Sequence, residues 1–363
     1  MLFLNNQDVE SLLDMPSCLD ALEVGYRDLQ RGAAGYRGRI DVFVPCERQD
    51  AYYRWGTMEG ACRSLETFAI RMKSDIVHWP EGKTEEKYCM QPGTFCGLIL
   101  VLSTRNAEPI ALMNDGYLQH MRVGGCAGLG VKYLARPDAR TVGMIGSGGM
   151  ARTYLRSFCA VRPIERVKVF SPSTEHREAY SQEMSQALGI KVEPVDSPDK
   201  AARGVDILAS ATDSILATLN PAWAKPGRHL TNLSDREVTA EVLSRCDVVI
   251  KLGAGSVKTE GLGPGWVYRG EVASLILGTP TEKKRIPMPD SPRFQERTYP
   301  HLVDLMANPS IGRRRPEDTT FFVNMGTQGL QFASVAGKVA RLAQEKGVGR
   351  QLPTEWFVQD IRD

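Results

Sequence analysis

One run constrains the fold of this chain more than any other. Thr141-Val142-Gly143-Met144-Ile145 leads directly into Gly146-Ser147-Gly148-Gly149-Met150-Ala151. The first five residues read as a strand, the glycines as a tight turn, and residues 151–161 as a helix. Strand, glycine turn and helix start are the order in which a dinucleotide-binding unit presents its phosphate site. Gly146 permits the sharp turn, and Gly148 lets the backbone approach a pyrophosphate. Ala151 stands where a third glycine is usual and still allows close helix–strand packing. The free N–H groups and partial positive charge of the helix start then face the phosphates. Ser147, Gly149 and Met150 complete the predicted cofactor loop. A glycine turn alone is a weak signal, and here its flanks supply the context.

The second nucleotide signal follows the next strand, 167–170. An NAD-selective fold places Asp or Glu there to bind the ribose diol. This chain has Ser171-Pro172-Ser173, followed by His176 and Arg177. Two hydroxyls and a cation without a carboxylate suit a 2′-phosphate, so Ser171, Ser173 and Arg177 predict NADP(H), with NAD(H) as the alternative. The same residues also read as the cap of a helix over 174–188, and the two roles are compatible. Further strands are expected over 207–211, 229–233 and 248–251. Ligands sit beyond the carboxyl ends of such strands, which adds Ala211, Thr212 and Leu233 to the cofactor candidates.

Before residue 122 the pattern differs. Residues 9–31 read as two amphipathic helices broken at Met15-Pro16-Ser17, with Ser17 as a cap of the second. Strands are expected over 40–44, 51–55, 66–73, 94–103 and 110–113, as an antiparallel sheet. In 66–73, Phe68, Ile70 and Met72 share one face, and Thr67, Ala69, Arg71 and Lys73 share the other. A Gly/Ala-rich helix is expected over 123–134. The amphipathic helix 329–346 lies beyond the dinucleotide unit and is expected to return to the first domain. The Gly- and Pro-rich stretch 258–318 shows no clear pattern. The fold class is therefore α/β: a Rossmann-type parallel-sheet domain over 124–321, plus an α+β domain built from 1–123 with 322–363.

A length of 363 residues suits two domains, and a net charge of +2 gives no argument for a nucleic-acid partner or an anionic membrane. No apolar run reaches the length of a membrane span. The first ten residues lack the basic and apolar regions of a signal peptide. Eight cysteines form no CxxC pair, and the five histidines are scattered, so no metal is expected. Reduced thiols in a cytoplasmic protein are the expectation.

Three runs then act together: Ala107-Glu108-Pro109-Ile110-Ala111-Leu112-Met113-Asn114-Asp115-Gly116, Met121-Arg122-Val123-Gly124-Gly125, and Lys132-Tyr133-Leu134-Ala135-Arg136. In this order before a glycine loop they resemble the ornithine cyclodeaminase/mu-crystallin family. Segments around Lys73, 206–233, 235–241, 270–271 and 319–326 are similar to it as well. The resemblance implies a homodimer, with the first domain holding both the substrate and the dimer sheet. It implies that Lys73 sits at the substrate amine or imine and that Arg122 and Arg39 hold the substrate carboxylate, with Arg37 as the alternative to Arg39. It implies proton transfer by Asp235, with Glu241 following at the family's spacing. By themselves these residues are bland: a strand lysine is usually solvated, Arg39 reads as an ion-pairing residue, and Asp235 as a turn or cap residue.

Arg recognises a carboxylate through a planar fork, which presents the α-carbon to a nicotinamide ring. Lys73 beside two guanidiniums is expected to lose its proton more readily than a free lysine. The chain departs from the family pattern at Val123-Gly124-Gly125, where R-T-A-A is common, and at Asn324, where serine is common. It also departs in the pocket approach, which includes Tyr52, Tyr53, Arg54, Trp55, Met58 and Glu59, and in the loop with His78 and Trp79. Met58 is the candidate wall residue for the substrate, and such walls set specificity. The resemblance implies an NAD(P)H-dependent oxidoreductase that interconverts an α-imino or 2-oxo acid, or a cyclic ketimine, with an α-amino acid. A cyclodeaminase-like ammonia lyase with bound NAD and a non-catalytic NADP(H)-dependent binding protein of crystallin type are the alternatives.

Overall fold

A computed structural model describes residues 1–82, 84–254, 262–269, 272–288, 299–359 and 361. One sheet runs, in spatial order, through Lys191–Pro194, Arg166–Phe170, Thr141–Ile145, Ile207–Ser210, His229–Thr231, Thr320–Val323 and Val248–Lys251. Every neighbouring pair in it is parallel. From Thr141–Ile145 the chain moves outward to one side through Arg166–Phe170. It then crosses back to the other side through Ile207–Ser210. The topological switch point, where an open parallel sheet leaves a crevice, is therefore at the glycine turn.

The other sheet is mixed. Its path is Trp266–Arg269, Val272–Ile276, Ile40–Pro45, Ala51–Cys62, Thr67–His78, Cys96–Ser103, Pro109–Asn114, Leu2–Leu4 and Arg350–Gln351. Helix Gln328–Lys346 lies across Ala51–Cys62 and Thr67–His78, with helix Met15–Gln30 packed behind it. This approach is close: a Cβ on Gly60 would strike the backbone of Gly329. Helix Gly116–Leu134 joins the halves. Leu118, Met121 and Leu129 enter the core under the mixed sheet, while Val123, Ala127 and Val131 enter the core of the parallel sheet.

Several expectations are corrected. The second helix begins at Met15, and its cap is Asp14, whose carboxylate accepts from the Ser17 N–H at 2.8 Å. Pro16 sits in the first turn, where a missing N–H costs nothing. The predicted strand 66–73 continues to His78, and the helix predicted from 123 begins at Gly116. A division at 123/124 would cut that helix. A division at 321/322 would cut Thr320–Val323, which is buried on both faces and so carries no alternation to mark it. The antiparallel strands Trp266–Arg269 and Val272–Ile276, expected in the Rossmann unit, join the mixed sheet, the second pairing with Ile40–Pro45. These short strands lie in the Gly- and Pro-rich stretch that shows no pattern. Residues 270–271, part of the resemblance, lie outside the described residues.

Among the described residues no helix is long and apolar enough to cross a membrane. None of their His, Cys, Asp and Glu side chains form a group of three or more able to hold a metal ion.

Candidate active site

Lys73 lies near the middle of Thr67–His78 and is buried. Its cross-strand partners are Gly56 on one side and Gly97 on the other. Both glycines make room. A Cβ at Gly56 would lie 2.8 Å from Lys73 Cε and 2.6 Å from Asp41 Oδ1, and one at Gly97 would strike the Asp115 carboxylate. The ammonium sits 3.2 Å from Asp75 Oδ2. Burial, with the Arg39 and Arg54 guanidiniums beside it, holds the Lys73 pKa well below the ordinary lysine value.

The polar face of this strand is the inward one. Thr67, Ala69, Arg71, Lys73, Asp75 and Val77 are buried, whereas Phe68, Ile70 and Met72 are partly exposed. Arg71 pairs with Asp115, its Nε donating to Oδ2 at 2.6 Å. Asp115 stands at the N-cap position of helix Gly116–Leu134 but makes no cap bond. Arg54 pairs with Asp75 at 3.1 Å.

Of the two arginine alternatives, Arg39 faces this side. It holds Asp41 through two bonds, Nε to Oδ1 at 2.8 Å and Nη2 to Oδ2 at 2.6 Å. Arg39, Lys73 and Arg54 overcome the cost of burial and hold the Asp41 carboxyl at about 2. Arg37 pairs instead with Glu59 and Thr57 on the opposite face, with its side chain 47% exposed. Met58 is buried and pairs across the strands with Arg71, within the core under helix Gln328–Lys346.

Arg122 differs from the other arginines of this cluster. Its Nη1 donates to Gln331 Oε1 at 2.7 Å and its Nη2 to Gln119 Oε1 at 2.8 Å. Its Nε is buried without a partner, and the guanidinium lies over the Phe332 ring at 4.8 Å. Among the described residues no carboxylate pairs with it. Burial lowers its pKa to about 10. A buried guanidinium whose hydrogen bonds go to neutral amides, with Arg71 and Arg39 nearby, is chemically suited to receive an anion.

The glycine loop has the shape of a phosphate cradle. Gly146 has φ +105°, and a Cβ there would collide with the Ala211 carbonyl oxygen. Gly148 is the N-cap of helix Gly149–Val161 with no side-chain cap, and nothing lies within 4 Å of where its Cβ would be. The space beside Gly148 at this uncapped helix start is open, which suits a pyrophosphate. Gly149 faces the imidazole of His120. Ser147 is buried, and its carbonyl accepts from Arg152 at 2.6 Å. Met150 is half-buried at the helix start, and Ala151 is fully buried at the helix–strand contact. Beyond the neighbouring strand, Ser173 caps helix Thr174–Leu188 through the His176 N–H at 3.1 Å. Arg177 donates to the Ser171 carbonyl at 2.9 Å. The three residues therefore stand together at one strand end.

The turns after the next two strands are joined by a residue that sequence reasoning missed. Glu237 is fully buried. Its Oε1 accepts from Ser210 Oγ at 2.8 Å and from the Thr212 N–H and hydroxyl at 2.7 Å each. Its Oε2 accepts from the Leu233 N–H at 2.6 Å and the Ser234 N–H at 2.9 Å. Burial pushes its pKa up. Thr212 and Leu233 are thus held by one carboxylate, and Ala211 by a bond from its N–H to the Ile145 carbonyl at 2.8 Å. Asp235 is buried at the head of the same short turn, Asp235–Glu237. Glu241 is not part of the site: it is exposed and pairs with Arg245 at 2.8 Å within its own helix. The halves meet here, with Thr84 bridged to Ser214 and Arg236 facing Glu85.

Comparison with known proteins adds four likenesses. The family model described as the ornithine cyclodeaminase/mu-crystallin family matches residues 1–336. The chain is similar to a Delta(1)-pyrroline-2-carboxylate reductase of Bacillus cereus, 23% identical over 300 residues, 81% of this chain and 83% of that one. It is also 25% identical over 263 residues to an uncharacterized cyclodeaminase of Sinorhizobium fredii, covering 71% and 73% of the two chains. Among solved structures, the Thermococcus litoralis Delta(1)-pyrroline-2-carboxylate reductase in complex with NADH and L-proline superposes with a TM-score of 0.74 and 25% identity. That match covers 97% of this chain and 100% of the other.

Proposed function

The chain belongs to the ornithine cyclodeaminase/mu-crystallin family, and from that premise we propose that it is an NAD(P)H-dependent oxidoreductase acting on C–N bonds. It reduces an α-imino acid, either a cyclic ketimine or the imine of a 2-oxo acid, to the α-amino acid, or runs the reverse oxidation. The observation that carries this reading is the buried Arg122 guanidinium, which hydrogen-bonds neutral amides and shares the Phe332 ring with Arg71 of the Lys73 strand. It is supported by the open cradle at Gly148 and by relatives named as pyrroline-carboxylate reductases.

The roles follow from chemistry. Arg122 takes the substrate carboxylate, with Arg39 beside it, and so fixes the α-carbon. Lys73, held below its ordinary pKa, exchanges a proton with the substrate nitrogen. Asp235 supplies a carboxylate for proton transfer from the cofactor side. A bound nicotinamide supplies or accepts the hydride at the α-carbon. Ser171, Ser173 and Arg177 favour NADP(H), since Ser171 stands where an NAD-selective fold carries Asp or Glu. The partly exposed apolar face of the mixed sheet supports a homodimer.

The test is turnover with NADPH and NADH against cyclic ketimines and against 2-oxo acids with ammonia or methylamine. Loss of the reduced-nicotinamide absorbance with a carboxylate-bearing imine is expected, and a lower KM for NADPH than for NADH. Ammonia release from a diamino acid with no net change in reduced nicotinamide would replace this reading by the cyclodeaminase one.

A further inference from the structure

Glu85 lies on the connection between strands Thr67–His78 and Glu86–Tyr88. Its carboxylate collects groups from both halves of the molecule. From the mixed-sheet half, Arg54 Nη1 donates to Oε1 at 2.6 Å and Trp79 Nε1 to Oε2 at 3.2 Å, while Arg269 Nη2 stands 3.6 Å from Oε2. From the parallel-sheet half, Arg236 Nη2 stands 3.7 Å away. Arg236 sits between Asp235 and Glu237 in one turn. The adjacent residue, Thr84, forms a bridge with Ser214, just past the other turn that Glu237 holds. Two consecutive residues of the first half therefore rest on both turns at the carboxyl end of the parallel sheet.

The contacts continue inward. Arg54 also binds Asp75 at 3.1 Å, and Asp75 lies 3.2 Å from the Lys73 ammonium. A chain of alternating charges thus runs from Lys73 through Asp75, Arg54 and Glu85 to Arg236, next to Asp235. Glu85 is the shared counter-charge of the Arg54, Arg269 and Arg236 guanidiniums, which without it would repel one another where water is scarce.

We propose that Glu85 is a positioning residue, a latch that holds the Asp235 turn against the substrate sheet so that Asp235 and Lys73 address one substrate. The latch itself follows from the contacts above, while its effect on turnover rests on the function proposed for this site. Glu85→Gln keeps the shape and an acceptor for Arg54 but removes the charge. Arg236→Met removes the other end.

The experiment combines hydrogen exchange with steady-state kinetics on the full chain. In both variants, exchange protection is expected to fall in segments 84–88 and 212–218 and to stay unchanged in helix Gln328–Lys346. In turnover, each variant is expected to lose about 10-fold in kcat, with KM for the imino acid and the cofactor dissociation constant within about 2-fold of the parent, and the double variant to be no worse than either single one. Unchanged protection in both segments overturns the latch, whether or not any imine is turned over. Lost protection with multiplying kinetic losses, or with an effect on KM alone, overturns the positioning role. If the parent reduces no imine at all, the function reading fails, and the exchange result still decides the latch.

Discussion

At the scale of single residues, Lys73 couples chemistry to stability. Burial and two neighbouring guanidiniums disfavour its charge, so the unfolded chain binds its proton more tightly than the folded one. Linkage then fixes the sign. This lysine lowers stability most at pH values below its folded pKa, and the penalty fades as pH rises toward the ordinary value of 10.5. Lys73→Met removes the penalty, and Asp75 keeps Arg54 and Lys87 as partners. The variant is therefore expected to melt at a higher temperature than the parent at pH 7, with the difference shrinking toward pH 10. Its kcat/KM is expected to fall about 1000-fold, as for loss of an acid–base group. Melting curves across pH and initial rates check both; a lower melting temperature at pH 7 would contradict the assigned cause. Arg122→Lys keeps a charge but loses the planar fork. Its kcat/KM is expected to fall about 30-fold, equivalent to ~2 kcal/mol for charge-assisted bonds, mostly through KM for the carboxylate substrate.

At the scale of elements, the site is a set of strand ends tied together by side chains from elsewhere. Glu237 is the strongest case, with five donors on one buried carboxylate. In Glu237→Gln one oxygen is replaced by a donor. If Oε1 is kept, the Leu233 and Ser234 N–H groups lose their acceptor. Unsatisfied buried donors cost about 1–3 kcal/mol each, so urea unfolding is expected to show a loss of about 3 kcal/mol. Cofactor affinity is expected to fall with it, because the turns bearing Thr212 and Leu233 are released together. Little of this was legible beforehand. Spacing carried attention to Glu241, which is solvent-exposed, because the sequence does not tell which acid of a short turn points inward. The glycine loop was legible, because φ +105° at Gly146 and the close Ala211 carbonyl leave little choice of residue. The alternation in 66–73 was read correctly as two faces. Which face turns inward was not legible, because partners for Arg71 and Asp75 come from distant segments.

At the scale of the molecule, that alternation leaves an apolar surface on the side away from Lys73. Ile70, Leu100 and Leu112 stand in one cross-strand row, with Met72 beside Leu98 and Phe68 beside Leu102 in the rows around it. All are partly exposed. Among the described residues, helix Gln328–Lys346 packs on these strands, on the buried face that carries Lys73. A contiguous, partly exposed apolar sheet face calls for a cover, and a second copy applying the same face supplies one with closed symmetry. Leu100 lies within this surface, so Leu100→Glu would place a charge at the centre of the contact, where its desolvation is costly. Sedimentation is expected to show the parent as a dimer and the variant as a monomer at micromolar concentration. The Glu side chain would project away from the glycine loop and from Arg122, so dinucleotide affinity is expected to stay within about 2-fold while the oligomer is lost. A parent that sediments as a monomer, or a variant that remains dimeric with an unchanged dissociation constant, would mean that something other than this face, or nothing, joins the copies.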